Sequence, residues 1–176
     1  VPCMDMPYLS NVRNVGTIAE TGRSRRGELD TRLGLSPGER VVAVSMGGMA
    51  TELAASRWPR IAGVKWVMPD ASGAERDDMV THSALDMPFV DILCSSDAFV
   101  TKPGYGAFAE AACNAIPVLY VPRVDWPEAP FLVRWLQRHG RCLEISYDDL
   151  FGDRLGEALE ALRQLPASER VAPRGI

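Results

Sequence analysis

AFVTKPGYGAFAEAACNAIPVLYVP, residues 98–122, contains an apolar run, a turn with two glycines, an alanine-rich segment and a second apolar run. The apolar runs at 98–101 and 117–122 are typical of strands buried on both faces of a parallel sheet. The segment at 105–115 between them has the spacing of a helix. Two parallel strands joined through a helix are the repeating unit of α/β folds. The stretch therefore predicts a strand–helix–strand unit.

The rest of the chain repeats this alternation with short connections. Further strands are predicted at 41–46, 64–69, 79–85 (a short strand and its exit) and 142–145. Further helices are predicted at 23–35, 49–58, 88–96 and 128–139. A last helix is predicted to open at a capping box of Ser146 and Asp149, with Phe151, Leu155, Leu159 and Leu162 recurring at helical period.

This pattern predicts an α/β fold, a three-layer Rossmann-like sandwich with a mainly parallel sheet. We expect residues 23–165 to form one domain, residues 1–22 to be an irregular lead-in with one short strand at 12–18, and residues 166–176 to be a polar tail. No internal repeat or low-complexity segment divides the sequence.

Composition narrows the class of partner. The 176 residues are 47% hydrophobic and 24% charged, with a formal net charge of −4 and no basic stripe, so no nucleic-acid partner is expected. No apolar run approaches the ~20 residues of a membrane span, and the first residues lack the order of a signal peptide, so a cytoplasmic location is expected. Because the chain begins without an initiator Met, we expect a piece of a longer protein or one that has lost its first residues.

The cysteines and histidines do not predict a metal site. Cys3, Cys94, Cys113 and Cys142 lie far apart without a CxxC pair, and His82 and His139 have no cysteine at ligand spacing. We expect buried free thiols in a reducing compartment, and no metal.

Glycines follow two of the predicted strands, in SMGGMAT (45–51) and TKPGYGAF (101–108). Ligands of open α/β sheets bind beyond the carboxyl ends of the strands. A glycine-rich turn before a helix lets a diphosphate approach the backbone, where free N–H groups and the helix dipole favour negative charge. Glycines at such positions are also ordinary turn formers, and the spacing alone leaves both interpretations open.

Glu110 lies among small residues in the predicted helix. If the helix starts near Tyr105, the carboxylate is ~8 Å along the axis, on the same face as Gly106. Helical side chains tilt toward the N-terminus, so Glu110 could accept hydrogen bonds from two vicinal ribose hydroxyls of a nucleotide held at the helix start. The alternative is a solvated glutamate on an ordinary helix face.

The segment VPRVDWPEAPF (121–131) follows the next strand. Arg123, Asp125 and Glu128 surround Trp126 there and could bind sugar hydroxyls. Equally, the acids could serve the dipole of the following helix, with Asp125 as its cap.

DAFVTKPGYGAFAEAACNAIPVLYVPRVDWPEAPFL (97–132) resembles the nucleotide-sugar-binding signature in the C-terminal half of GT-B glycosyltransferases. It is similar to the glycosyltransferase family 28 C-terminal domain, and more so to the glycosyltransferase-like N-terminal region of plant L-arabinokinases. VVAVSMGG (41–48) resembles the strand and glycine loop that open that half. The resemblance covers roughly residues 36–150 and implies the donor-binding half of a two-domain GT-B enzyme.

The resemblance also implies roles for particular residues. Gly47 and Gly48 would face the diphosphate and its linked sugar, and Gly104, Tyr105 and Gly106 would form the turn at the phosphates. Lys102 and Arg123 are expected among the donor-binding residues. Glu110 would hold the ribose hydroxyls, and the backbone near His82, Ser83 and Ala84 would meet the base. Glu128 falls where the family places an acid on the donor sugar, but many members have Gln at the next position, where this chain has Ala129.

The implied reaction is metal-independent sugar transfer from a nucleoside diphosphate sugar, with UDP-sugar as the expected donor and no cofactor. The catalytic base and the acceptor site are expected in an N-terminal domain, so this chain by itself should bind donor weakly and transfer nothing. Two alternatives stay open: a non-catalytic sugar-nucleotide-binding module, and an enzyme like a UDP-sugar 2-epimerase. The base, sugar, acceptor and oligomeric state are not predicted.

Overall fold

The computed structural model describes residues 10, 11, 13, 15–47, 55–73 and 76–174. Its strands are β1 Arg40–Val44, β2 Val64–Met68, β3 Met79–Thr81, β4 Ala98–Thr101, β5 Val118–Tyr120 and β6 Cys142–Glu144. Its α-helices are α1 Arg26–Leu33, α2 Phe89–Cys94, α3 Tyr105–Asn114, α4 Ala129–His139 and α5 Arg154–Gln164. Short 3-10 helices lie at Ala55–Arg57, Asp70–Ser72, Ser83–Leu85 and Asp149–Phe151.

The six strands form one sheet in the order β3-β2-β1-β4-β5-β6. Every neighbouring pair is parallel, and Val44 of β1 lies opposite Val100 of β4. The chain proceeds in one direction from β1 to β3 and in the other from β4 to β6, so the order reverses between β1 and β4. The predicted α/β, Rossmann-like fold is confirmed, and this reversal is the place where such sheets open a ligand crevice.

Both faces of the sheet are covered. Val42 and Val44 face a core that includes Leu155 and Leu159 of α5, whereas Ala43 faces a core that includes Phe108 of α3. Because successive side chains of a strand point to opposite faces, a strand buried on both sides must be apolar throughout. This explains why the strands read as continuous apolar runs rather than alternating ones.

Helix α3 is built for close packing. Ala109, Ala111 and Ala112 are buried together with Phe108, and short side chains allow the helix to lie close to the sheet. The helix ends at Asn114, and the next residue, Ala115, has a left-handed φ of 57° and an N–H group that donates to the carbonyl of Ala112. A residue in this conformation reverses the chain into β5.

The structure corrects the predicted final helix, which is two elements. The predicted pairing of Ser146 with Asp149 is present, since Ser146 Oγ accepts from the Asp149 N–H at 3.1 Å, but the element that follows is the short 3-10 helix Asp149–Phe151, whose N-cap is Asp148. Gly152 is extended, with φ −123° and ψ −176°, so α5 begins only at Arg154.

Two other predicted elements differ in extent. Helix α1 ends at Leu33 rather than at residue 35, because Gly34 takes a left-handed φ of 60°. Of the helix predicted at 49–58, residues 49–54 lie outside the described residues, and Ala55–Arg57 is a 3-10 helix. The described residues among 12–18 contain no strand.

The lead-in and the tail pack against the domain and against each other. The Arg174 N–H donates to the carbonyl of Thr17 at 2.9 Å, and the Val171 N–H donates to the carbonyl of Ala112 in α3 at 3.1 Å. Thr17 is buried. Within the described residues, every helix is too short or too polar to span a lipid bilayer.

Candidate functional site

The loops that follow β1 and β4 meet at the reversal of strand order. The Ser45 N–H donates to the carbonyl of Val100 at 3.0 Å, which holds the two strand ends together. Gly47 has a left-handed φ of 65°, and a Cβ placed on it would lie 4.0 Å from Cε of Lys102. Lys102 therefore reaches from the end of β4 to the loop after β1. We call the loops after β1, β3, β4 and β5 the carboxyl edge.

Two cations share this edge. Burial lowers the pKa of Lys102, the nearby positive charge of Arg123 lowers it further, and Asp125 opposes the shift. Arg123 stacks on Trp126, with its guanidinium carbon 4.3 Å from the ring centroid. Among the described residues no carboxylate forms an ion pair with Lys102. A partly buried ammonium beside a second cation favours a bound anion, because the anion would offset the charge of Lys102.

Helix α3 points its N-terminus into the same place. Its N-cap is Gly104 in an extended conformation, and no side chain of the described residues caps it. A Cβ added to Gly106 would meet nothing within 4 Å, so the surface over the first turn is open. The first N–H groups of a helix and its dipole attract negative charge, and here no side chain competes for them. Neither Gly104 nor Gly106 has a positive φ, so here the useful property of glycine is its small size.

Glu110 lies on the second turn of α3, behind that open surface. Burial raises the pKa of its carboxyl group above the ordinary 4.5, and the nearby carboxylate of Glu20 adds to the shift. Among the described residues no donor or cation pairs with it. A partly buried carboxylate with unused acceptor capacity is costly without a ligand, which is typical of binding sites.

The lead-in is fastened to both ends of α3. The Tyr105 hydroxyl accepts from the N–H of Ile18 at 2.7 Å and donates to the carbonyl of the same residue at 3.0 Å. The side-chain oxygen of Asn114 accepts from the N–H of Gly22 at 2.9 Å. Its amide group donates to the carbonyl of Glu20 at 3.2 Å. No local pattern predicts these contacts, because the partners are about ninety residues apart in the chain.

Ser83 and Ala84 lie in the short 3-10 helix after β3, at the far end of the carboxyl edge. Both the N–H and the hydroxyl of Ser83 donate to Oδ1 of Asp70, at 3.1 Å and 2.7 Å. These hydrogen bonds lower the pKa of Asp70. Three strand spacings separate β3 from β4, about 14 Å, a distance that an extended nucleotide can bridge.

His82 precedes this helix and is turned inward. Its ring packs on Phe89, with centroids 4.8 Å apart, and its Nε2 is buried without a hydrogen-bond partner in the described part of the chain. Burial lowers the pKa of the imidazole. The neutral ring of His82 therefore packs inside the protein beneath the loop after β3, whereas the backbone of His82 belongs to the carboxyl edge.

Glu128 is the N-cap of α4. Its carbonyl accepts from the N–H groups of Phe131 and Leu132, both at 3.1 Å, and its side chain makes no capping bond. The sequence suggested Asp125 as the cap of this helix, and that prediction is wrong, because Asp125 lies in the preceding turn near Lys102. Trp126 is 39% exposed and Val124 is fully exposed, so the loop after β5 projects from the edge.

Gly48 lies outside the described residues. Apart from Glu110, on the second turn of α3, the other predicted site residues belong to the loops or helix starts of the carboxyl edge. Those that come together are Gly47, Lys102, Arg123 and the start of α3. No three His, Cys, Asp or Glu side chains of the described residues are grouped to hold a metal ion.

Cys94 and Cys113 are buried free thiols and Cys142 is a partly buried one. Burial raises the pKa of Cys142 to about 11, so this thiol stays protonated at neutral pH.

The comparisons with known proteins agree with the fold. The sequence matches no known protein-family profile. L-arabinokinase of Arabidopsis thaliana is 26% identical over 148 residues, which is 82% of this chain and 14% of that protein.

Solved glycosyltransferases share the architecture. The calicheamicin glycosyltransferase CalG4 superposes with a TM-score of 0.59 at 21% identity, over 85% of this chain and 38% of its own. The glycosyltransferase of kitacinnamycin superposes with a TM-score of 0.58 at 21% identity, over 74% of this chain and 36% of its own. VinC, solved in complex with DTDP, gives 0.53 and 23% identity, over 76% and 36%.

The chain thus spans about a seventh of the L-arabinokinase that it matches and little more than a third of the glycosyltransferases. The predicted resemblance to one half of a GT-B glycosyltransferase, and to L-arabinokinase, is confirmed. At these identities the structural likeness establishes the fold.

Proposed function

We propose that this chain is the donor-binding domain of a glycosyltransferase, and that its carboxyl edge binds a nucleoside diphosphate sugar. The observation that carries the proposal is the arrangement of α3. No side chain of the described residues caps the N-terminus of α3, which lies beside Lys102 and Arg123. Further along the helix, the carboxylate of Glu110, unpaired among those same residues, lies behind an open surface. A nucleotide has the complementary order of groups, with phosphates and then ribose hydroxyls.

In this proposal the diphosphate lies against the N–H groups of α3, with Lys102 and Arg123 on the side facing the sheet. Glu110 accepts from the ribose hydroxyls, the backbone of residues 82–84 meets the base, and Glu128 contacts the donor sugar. The open surface over Gly106 leaves room for the ribose and phosphates.

During transfer the bond between the sugar C1 and the β-phosphate oxygen breaks, and the nucleoside diphosphate leaves with the electron pair. The positive end of the α3 dipole and the two cations stabilise the charge that develops on the leaving group. The acceptor hydroxyl forms the new bond to C1 and gives its proton to a base, which we place in a separate N-terminal domain. These residues need no metal for that stabilisation.

UDP-sugar is the proposed donor. VinC was solved in complex with DTDP, so dTDP is the natural nucleotide to compare with UDP. UDP and dTDP differ little in shape. Calorimetric titration with UDP, dTDP and GDP tests the proposal, and we expect saturable binding of UDP at millimolar concentration or below. An absence of binding by all three nucleotides would refute the assignment.

Replacing Lys102 with Met tests the position of the diphosphate. Loss of a charged hydrogen bond costs roughly 1.5–3 kcal/mol, so the affinity for UDP should fall by about 10–150-fold. Lys65→Met is the matched control, because Lys65 lies on β2 and donates to the carbonyl of Asp77 at 2.9 Å. Equal losses in the two variants would contradict the proposed position.

A second candidate is a sugar-nucleotide-binding module within a larger enzyme. The specific observation in its favour is that the chain corresponds to a short part of L-arabinokinase. The two candidates share the nucleotide site and differ in transfer activity. Assay of the full-length gene product for release of UDP from a UDP-sugar in the presence of acceptor sugars separates them.

A further inference from the structure

A cavity of about 200 Å³ lies at the edge of the sheet opposite to the carboxyl edge, where the strands begin. We call it the arginine pocket. Arg40 opens β1, Arg141 immediately precedes β6, and Arg163 projects from α5. Val42, Leu159 and Leu162 form the apolar wall of the arginine pocket. None of these residues takes part in the proposed donor site.

The charges of the arginine pocket do not balance. One carboxylate, Glu160, serves two of its guanidinium groups, at 3.3 Å from Arg40 and 2.5 Å from Arg163. The hydrogen bonds from Arg163 lower the pKa of Glu160 to about 2, so this acid is ionised at every pH of interest. No carboxylate of the described residues pairs with Arg141.

The acid that lines the pocket is already engaged elsewhere. Asp97 accepts from Nη1 of Arg26 at 2.6 Å and from the N–H of Val41 at 2.7 Å. These bonds tie Asp97 to α1 and β1, and Arg26 is shared with Asp30, whose Oδ1 lies 2.5 Å from its Nε. Among the described residues, the guanidinium groups at and behind the cavity therefore exceed the carboxylates by one: Arg26, Arg40, Arg141 and Arg163 against Asp30, Asp97 and Glu160.

Arg141 is fixed in place with an unused donor. Its carbonyl accepts from the N–H of Val118 at 2.8 Å, which anchors the backbone between β5 and β6. Its Nε is buried and has no hydrogen-bond partner among the described residues. A buried guanidinium donor without an acceptor is costly, and a bound carboxylate would remove that cost through two parallel hydrogen bonds.

We propose that the arginine pocket is a binding site for a small organic carboxylate, whose charged group pairs with Arg141 and whose hydrocarbon part contacts Leu159, Leu162 and Val42. The volume is below the roughly 300–1,000 Å³ of sites for drug-sized ligands, so the ligand is an acid of a few carbons. The apolar wall favours such an acid over inorganic phosphate, because phosphate has no apolar surface to bury against it. This site is independent of the proposed donor site.

The test follows the Nε–Hε resonance of Arg141 by ¹H–¹⁵N NMR during titration with butanoate. We expect a saturable shift at millimolar concentration, accompanied by shifts of the amides of Ala98 and Leu159. The amides of Gly106 and Lys102, at the opposite edge, should not move, which separates this site from the nucleotide site.

Arg141→Met keeps the length of the side chain and removes the guanidinium. Its affinity for butanoate, followed through Ala98 and Leu159, should fall roughly tenfold or more, as expected when a charged partner is lost. Arg138→Met, at the exposed end of α4, changes the net charge equally and should bind as the parent does. If Arg141→Met does not fold, Arg163→Met replaces it, since Arg163 is exposed and its loss should also weaken binding.

Three results would each overturn the proposal. The first is a shift that grows linearly with butanoate and never saturates, and the second is equal binding by Arg141→Met and Arg138→Met. The third is saturable binding of inorganic phosphate without binding of butanoate, which would show that the apolar wall plays no part.

Discussion

Replacing Glu110 with Gln should weaken nucleotide binding and at the same time make the protein more stable. The substitution keeps the shape of the side chain and one acceptor oxygen but removes the charge. Both effects follow from one observation, that the carboxylate is partly buried and unpaired among the described residues. A residue retained for packing alone would not change binding and stability in opposite directions.

The binding effect comes from the hydrogen bonds to ribose. Replacing the charged acceptor by a neutral amide forfeits roughly one charge-assisted hydrogen bond, about 1.5–3 kcal/mol, which corresponds to about a 10–150-fold weaker affinity for UDP. Isothermal titration calorimetry measures this directly. Glu157→Gln is the control, because Glu157 is an exposed acid on α5, which is not part of the carboxyl edge.

The sign of the stability effect follows from the direction of the pKa shift. Burial raises the pKa of Glu110 in the folded protein above the ordinary 4.5. Such a group favours folding fully below its unfolded pKa, and that contribution is lost as pH rises through the folded pKa. At neutral pH the ionised carboxylate is therefore a burden on the folded state. Glu110→Gln should unfold at a higher temperature than the parent near pH 7, and the difference should shrink as pH falls through the raised folded pKa and disappear below the ordinary 4.5.

Thermal unfolding at a series of pH values, without nucleotide, checks this expectation. Unchanged affinity for UDP in Glu110→Gln would refute the role at ribose. A lower unfolding temperature at neutral pH would show that the carboxylate has a partner in the folded protein, and the reasoning from burial would be wrong.

Two further predictions concern contacts of α3. Ala115→Gly should stabilise the protein by roughly 0.5–1 kcal/mol, because glycine adopts the left-handed φ of 57° without steric cost. Ala158→Gly in the middle of α5 should have the opposite sign, and chemical denaturation of both variants gives the comparison. Tyr105→Phe should destabilise by about 1–3 kcal/mol, since it removes both hydrogen bonds to Ile18. Tyr147→Phe, whose exposed hydroxyl has no hydrogen bond to the described residues, should be neutral, and equal effects of the two changes would contradict this interpretation.

The elements that the sequence predicted well are those whose signal is local. The segment from β4 through α3 to β5 was predicted to within a few residues, because apolar runs, the alanine-rich helix and the following proline all lie within 98–122. The final helix was predicted as one element because Phe151 and Leu155 keep the helical period across Gly152. Periodicity records which side chains face the core and does not record a break in the backbone between them.

The sequence predicts which edge of the sheet carries the candidate site, but it does not predict the contacts within the site. Glycines at strand ends place residues 45–51 and 101–108 at one edge of any parallel sheet. The sequence does not state the strand order, which alone makes β1 and β4 neighbours and brings Gly47 to Lys102. The clamp of Tyr105 on Ile18 and the pairing of Ser83 with Asp70 likewise join residues with no shared local pattern.

By itself, the sequence determined the class of fold, the parallel sheet and the helix that carries Glu110, since hydrophobic period and turn chemistry act over a few residues. Only the tertiary structure decided that Lys102 lies near Arg123, that Glu110 lacks a partner among the described residues, and that Arg40, Arg141 and Arg163 surround one cavity. The physical reason is that electrostatic and hydrogen-bonding partners are chosen by distance in space. That distance is fixed only when strands far apart in the chain take their order in the sheet.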